Sequence, residues 1–193
     1  DLKPNNKEEI VQKDFLRNLR QDSILFDKGM YWECFYKGDL VNGRREGYGI
    51  ARYTIGDVYE GQWANDLIHG QGTYICANGE KYVGHFENGQ RCGRGTYSYL
   101  SGAIYEGEWL NDQKSGKGTI IWGNNKYVGD FLNNQFNGYG VFIIDNVGIY
   151  EGNFANDTMN GKGTLTFNNG DKYIGDFKDG VFHGAGVYYF IDG

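Results

Sequence analysis

The sequence predicts an all-β protein: a single-layered, elongated antiparallel meander of seven tandem β-hairpin repeats, preceded by a short amphipathic helix. Two observations predict the meander. A spacing of about 23 residues recurs through most of the chain, and glycine and aromatic residues hold fixed places within it. The chain has 32 glycines and only one proline among 193 residues, whereas glycine normally makes up roughly 7% of a protein. A third observation, an apolar stripe at helical spacing near the start, predicts the helix.

The repeat is marked by a tyrosine, which we number as position zero of each copy. Position +2 is glycine in all seven copies, and so are positions +11 and +13. Position +4 is Trp or Phe in six copies and Leu40 in the first. The repeats start at Tyr36, Tyr59, Tyr82, Tyr105, Tyr127, Tyr150 and Tyr173. Fixed places in seven successive copies indicate a repeat architecture in which each unit packs on its neighbours.

Each copy predicts two strands. Positions 0 to +5 alternate between large and polar residues, as in the run from Tyr59 to Ala64, which is typical of a half-buried strand. Asn-Asp or Asn-Gly pairs follow at +6 and +7 in most copies and favour a tight hairpin turn. A second strand is expected from about +11 to +17. We further expect the ring at +4 to lie across the glycines at +11 and +13, because a bare backbone leaves room for it.

The segment 1–30 has a different pattern. Asn5 or Asn6 can cap a helix from about residue 6 to 21, with a glutamate near the capping-box position. Its apolar stripe consists of Val11, Phe15, Leu16 and Leu19. Two interpretations stay open: the helix covers the edge of the first strand, or it docks on a partner or a second subunit. Residues 31–193 form the predicted ribbon, with a preliminary strand at 30–35.

The sequence contains no recognisable catalytic or metal-binding pattern. His69, His85 and His183 are interpreted as surface residues, and the three cysteines match no zinc spacing. We therefore predict a protein that is not an enzyme, with no cofactor and no metal. The net charge of −6 disfavours nucleic acid. Basic pairs such as Arg91 and Arg94 are interpreted as solvated turns.

The run Tyr105-Glu106-Gly107-Glu108-Trp109, followed by Gly-x-Gly-Thr, resembles the MORN repeat (membrane occupation and recognition nexus). The resemblance covers residues 36–193. It departs from the pattern at Leu40 in the first copy and at the irregular closing of the fifth copy, residues 145–148. It implies a scaffold at cytoskeletal or membrane-junction structures that binds other proteins and often dimerises. It also implies two alternatives: a phosphoinositide-binding module, or a regulatory region of a larger enzyme such as a lipid kinase.

From these features we predict a scaffold that captures a peptide or helix of another protein in an aromatic and glycine-lined groove. We expect the groove rings to be exposed, because one layer leaves them without a cover. A homodimer and a weak phospholipid contact are further expectations, with a location that is cytoplasmic, cytoskeletal or peripheral to a membrane. The predicted groove residues are Tyr59, Trp63, Tyr82, Phe86, Tyr105, Trp109, Tyr127, Phe131, Tyr150, Phe154, Tyr173 and Phe177.

Overall fold

The computed structural model of the chain describes residues 34–192. The predicted helix at 6–21 lies outside the described residues, and so does its apolar stripe of Val11, Phe15, Leu16 and Leu19. The two interpretations of that helix therefore stay predictions.

The described residues form one open antiparallel sheet of 14 strands, hydrogen-bonded in the order in which they occur in the chain. This confirms the predicted all-β class and the seven hairpins. The strands are Cys34–Val41 (β1), Arg44–Tyr53 (β2), Val58–Ala64 (β3), Leu67–Ile75 (β4), Lys81–Glu87 (β5), Gln90–Ser98 (β6), Ile104–Leu110 (β7), Gln113–Trp122 (β8), Asn125–Leu132 (β9), Gln135–Ile144 (β10), Gly148–Ala155 (β11), Thr158–Phe167 (β12), Lys172–Lys178 (β13) and Val181–Tyr189 (β14). The described residues divide into two compact units, one ending at Gly116 and the other beginning at Lys117.

The tight turn within each repeat has the predicted conformation. Between β3 and β4, Asn65 has φ 50° and Asp66 has φ 67°. Positive φ at both central residues gives the turn a twist that matches the right-handed twist of the flanking strands. Asn and Asp tolerate this left-handed region better than other residues that carry a side chain. The turn chemistry therefore explains why Asn recurs at +6.

The fifth repeat closes with the altered turn that its sequence predicts. Val147 N donates to the carbonyl oxygen of Ile144 over 3.1 Å, and Asn146 has φ 58°. Strand β11 then starts directly at Gly148. Asn168 N from the next turn donates to the Val147 carbonyl oxygen over 2.9 Å, which ties the two turns together.

The second strand of each hairpin begins earlier than the sequence predicts. Strand β4 starts at Leu67, position +8, and its register against β3 shifts between Gly61 and Trp63. Two extra residues of β4 form a bulge around Gly70, whose φ of +59° is one that a side chain disfavours. The +3 side chain closes this bulge: Gln62 Oε1 accepts a hydrogen bond of 2.7 Å from Gln71 N. The prediction overlooked the bulge because two extra residues leave the alternation of the two faces in phase.

An acidic residue at +3 replaces that glutamine in several other repeats. Asp130 Oδ2 accepts from Tyr139 N over 3.1 Å, and Asp176 Oδ2 accepts from Ala185 N over the same distance. A carboxylate therefore recurs at +3 because it satisfies a backbone donor that the bulge leaves unpaired.

Hydrogen bonds between a hairpin turn and a strand of the preceding repeat join neighbouring repeats. Asp66 Oδ1 accepts from Arg45 N over 2.8 Å, while Asp66 N donates to the Arg45 carbonyl oxygen over 3.1 Å. The same reciprocal pair joins Asp112 to Arg91. Each such pair fastens a turn to the second strand of the preceding repeat, so the repeats are stabilised by their neighbours.

Candidate functional site

Two rows of aromatic rings cover one face of the sheet, which we call the aromatic face. The ring of Tyr59 lies edge-on between Trp63 of its own repeat and Phe86 of the next, with centroids 5.2 and 5.4 Å apart. Tyr127 stands in the same way between Phe131 and Phe154, at 5.2 and 5.0 Å. Edge-to-face contacts at this distance are favourable because the positive edge of one ring meets the negative face of the other.

The tyrosine at position zero lies across the glycines at +2 and +13. A Cβ built on Gly61 would stand 2.5 Å from the Tyr59 hydroxyl oxygen, in addition to meeting the backbone of Gly72. The hydroxyl is fixed beyond the glycines by donating to the carbonyl oxygen of Gln62 over 2.8 Å. The predicted placement of the +4 ring was therefore wrong for the +13 glycine, whereas the +4 ring does stand opposite the +11 glycine of the preceding repeat, as Trp63 stands opposite Gly47. The bare backbone at +2 and +13 makes room for the tyrosine.

The predicted groove residues all lie on the aromatic face, but they are packed there as a core. Their exposed fractions run from 0% to 7%. Neighbouring rings and the glycine backbone enclose them, so the exposed groove that one layer led us to expect is not found. That these rings contact a partner stays a prediction. The members of the set are Tyr59, Trp63, Tyr82, Phe86, Tyr105, Trp109, Tyr127, Phe131, Tyr150, Phe154, Tyr173 and Phe177.

Buried cations belong to the same packing. The guanidinium carbon of Arg91 lies 4.3 Å from the ring centroid of Trp109, and the residue is only 2% exposed. Its Nε is 3.2 Å from Asp112 Oδ1, and its Nη2 donates to the Asp112 carbonyl oxygen over 2.8 Å. Arg45 repeats the arrangement over Trp63 at 4.3 Å. The interpretation of Arg91 as a solvated turn residue was wrong, because Trp109 and Asp112 replace the water around its charge.

The spacing of these basic residues in the sequence is a signal that they are buried or half-buried. Arg45 and Arg91 stand at +9 of their repeats, and each is followed 21 residues later by an aspartate in the next turn. Lys114 also stands at +9 and is 1% exposed, with Nζ 5.6 Å from the centroid of Tyr105. A basic residue at a position that faces a ring indicates a cation–π contact more than a solvated turn.

Burial also raises the pKa of several buried or half-buried tyrosines. Loss of hydration is the largest cause, and it raises the pKa of Tyr53 and Tyr150 to about 12. The pKa values of Tyr59, Tyr105 and Tyr127 are likewise raised above the ordinary 10.0, mainly by desolvation. A neutral phenol is retained because a phenolate enclosed by other rings and by backbone would lose most of its hydration.

We expect alkaline unfolding as a consequence. Unfolded tyrosines release their protons near pH 10, whereas the folded chain retains them to higher pH, so this contribution to stability is complete below pH 10 and is lost as the pH rises towards 12. Phenolate absorbance and far-ultraviolet circular dichroism should change together above pH 10. If all 16 tyrosines ionised near pH 10 while the circular dichroism stayed constant, the enclosed core would be contradicted.

The opposite face carries exposed aliphatic side chains, and we call it the aliphatic face. Strand alternation places −1, +1, +14 and +16 of each repeat there. Charged residues stand among the aliphatic ones: −1 is Lys81 or Lys126 in some repeats and Ile104 or Ile149 in others. Its exposed aliphatic residues in the first unit include Ile75, Val83 and Ile104, and those in the second unit include Ile121, Val128, Ile143, Ile149 and Ile174.

The histidines and cysteines considered in the sequence analysis are not clustered as metal ligands. Within residues 34–192, no group of three or more His, Cys, Asp or Glu side chains is placed to hold a metal ion. The rings of His69 and His85 are 6.4 Å apart. His69 is partly exposed, although its Nδ1 is buried with no hydrogen-bond partner. None of the described residues belongs to a helix long and apolar enough to cross a membrane.

A comparison with family models decides the family. The MORN repeat model matches seven successive segments, residues 36–58, 59–81, 82–104, 105–126, 127–146, 150–172 and 173–193. The chain is a MORN-repeat protein. The matched segments begin at the seven repeat tyrosines, so the MORN repeat coincides with one hairpin of the sheet together with its two turns. No curated protein matches the sequence.

Proposed function

We propose that this MORN-repeat protein is a non-catalytic scaffold that binds another protein through the aliphatic face of its sheet. The observation that carries the proposal is the set of exposed aliphatic side chains on that face, among them Ile75 at 40% and Ile104 at 47%. Exposed apolar patches of this kind usually mark interaction surfaces, because water solvates them poorly. The twelve rings of the predicted groove offer little surface to a partner, since each is at most 7% exposed.

The chemistry of the face favours an amphipathic peptide or helix as the partner. On β5 the exposed Lys81 is followed two residues later by the exposed Val83. On β7 the order is reversed, because the apolar Ile104 is followed two residues later by the charged Glu106. A partner that presents an apolar stripe with charges of both signs beside it would match this alternation. Placement at a cytoskeletal or membrane-associated assembly is part of the proposal and rests on the family resemblance.

The test uses substitutions that the chain itself makes at equivalent repeat positions. Ile75→Ser copies Ser98, and Val83→Glu copies Glu60, so both residues are already compatible with this sheet. We expect the double variant to melt like the wild type and to bind a captured partner about ten-fold more weakly or worse, because two apolar side chains are lost from the contact. Affinity capture followed by calorimetry with the captured protein measures this.

Trp109→Phe is the comparison on the other face, since phenylalanine occupies +4 in four other repeats. If the aliphatic-face variant bound the partner as well as the wild type while Trp109→Phe lost binding, the binding surface would be the aromatic face. The proposed use of the aliphatic face would then be wrong.

A further inference from the structure

One region of the aliphatic face differs from its equivalents by being apolar across three strands. On β9, β10 and β11, the register places Val128 opposite Val141 and Ile143 opposite Ile149. Val128, Ile143 and Ile149 are exposed, at 42%, 40% and 47%. Cross-strand neighbours on one face are roughly 5 Å apart, so the four side chains form a continuous patch. We call it the β9–β11 patch.

Two opposite charges occupy the remaining corners of this patch. Lys126 is the register partner of Ile143 on β10, and Glu151 is the partner of Val141. Both residues are exposed. The patch and its two charges thus form an array of six residues, two on each of three strands. The lysine and the glutamate occupy diagonally opposite corners, and the four aliphatic side chains lie between them.

This arrangement is complementary to itself. A second copy can be placed face to face with the first by a two-fold axis that lies parallel to the face. The axis passes through the midpoint of the diagonal from Lys126 to Glu151 and is perpendicular to that diagonal. This rotation brings Lys126 of each copy over Glu151 of the other. The aliphatic side chains of the two copies then meet between the two ion pairs. With strands about 4.8 Å apart and residues about 3.4 Å apart along them, the strands of the two sheets cross at roughly 70°. That angle is close to the orthogonal class of sheet packing.

The equivalent region two repeats earlier provides an internal comparison. On β5, β6 and β7 the corners are again a lysine and a glutamate, Lys81 and Glu106. The middle strand, however, carries Thr96 and Ser98 where β10 carries Val141 and Ile143. The same sheet positions therefore accept polar residues, and the apolar middle of the β9–β11 patch is not needed for pairing of the strands.

We propose that the β9–β11 patch is a self-association surface, which joins two copies of this chain face to face through the Lys126–Glu151 pairs and the four aliphatic residues. The inference goes beyond the proposed scaffold function, because it requires no other protein. The patch and its two charges comprise only the six residues named above, whereas a stable interface has roughly 20–30 residues a side, so the dimer is weak and forms at high concentration.

Sedimentation equilibrium of the full chain tests the proposal over a concentration range of about 10 µM to about 1 mM. We expect the wild-type mass to rise with concentration towards that of two chains. Val141→Thr with Ile143→Ser copies the polar middle strand of the earlier region, and it should weaken association at least ten-fold. A wild-type mass that stays constant, or a double variant that associates as well as the wild type, would overturn the proposal.

Charge reversal tests the geometry of the pairing. Lys126→Glu alone and Glu151→Lys alone should each weaken the dimer, because each places like charges together at both ends of the patch. The two changes together should restore association, since opposite charges meet again. Lys81→Glu with Glu106→Lys is the matched control and should leave the dimer unchanged. If the combined variant associated no better than either single one, the face-to-face pairing would be wrong. Because the readout involves the chain alone, failure here leaves the proposed partner binding untouched.

Discussion

Trp109→Ala is expected to lower the free energy of unfolding by about 4 kcal/mol, the range measured for removing a large ring from a protein core. The indole is 3% exposed and lies edge-on to Tyr105 and Tyr82, with centroids at 5.2 and 5.3 Å. Its Nε1 donates to the carbonyl oxygen of Gly95 over 3.2 Å. Alanine removes all these contacts and leaves a cavity that the pleated backbone cannot close.

A second cost arises from Arg91. Its guanidinium carbon lies 4.3 Å from the Trp109 ring centroid, and removing the ring opens one side of a buried cation whose carboxylate partner is Asp112. An exposed position would lose only a few tenths of a kcal/mol on the same substitution. The size of the effect therefore distinguishes a core ring from a groove ring that awaits a partner.

Trp109→Phe is the control for this measurement. Phe86 occupies the same repeat position and is 0% exposed, which shows that phenylalanine fits the site. It preserves the edge-on contacts and loses the N–H donor and part of the cation–π contact, so we expect a loss of about 1 to 2 kcal/mol. Urea denaturation of the three proteins measures the difference. A loss below about 1 kcal/mol for Trp109→Ala would contradict the enclosed core.

Gly140→Ala is expected to cost about 3 kcal/mol or more, although it adds a single methyl group. The added Cβ would stand 2.5 Å from Tyr127 Cε2 and 2.6 Å from its hydroxyl oxygen. The ring cannot move aside. Its hydroxyl donates to the Asp130 carbonyl oxygen over 2.9 Å, and its face is stacked on Phe136 with centroids 3.8 Å apart. The clash must therefore distort the strand or displace the core.

Gly123→Ala separates this clash from the general cost of losing a glycine. Gly123 lies in the turn between β8 and β9 with φ +55°, and a Cβ added there would meet no atom within 4 Å. The only penalty is the left-handed backbone, which costs about 1 to 2 kcal/mol. Thermal and urea denaturation should rank the wild type first, Gly123→Ala second and Gly140→Ala last. The reverse order of the two variants would show that the tyrosine ring has room to move.

Residues with a fixed place in the repeat made much of the fold predictable. Asn65 and Asp66 indicated the hairpin turn, and the period of Tyr-x-Gly indicated the number of hairpins and their order. The same pattern could not indicate the bulge at Gly70, since a bulge changes which residues oppose one another without changing the composition. The identity of the ring that lies over the glycines was likewise not predictable, because Tyr and Trp share one face and spacing alone does not say which ring lies flat.

The candidate site was predicted less well than the fold. The sequence placed the aromatic residues together on one face, and the structure agrees. It also led us to expect these rings to be exposed, because a single layer has no second layer to cover it, whereas in the structure the rings enclose one another. Nor did it reveal the aliphatic face, since the apolar residues there alternate with Lys81, Glu106 and similar charges and appear polar when the repeats are averaged.

The sequence by itself determined the number of repeats, their strand pairing as a meander and the side of each strand that holds the rings. These follow from local rules: turn residues fix the hairpins, and alternation fixes the two faces. The tertiary structure alone decided which apolar residues are accessible. Exposure depends on contacts between residues that lie far apart in the chain, such as Arg91 with Asp112 or Val128 with Val141, and no local pattern specifies how much surface such contacts leave to water.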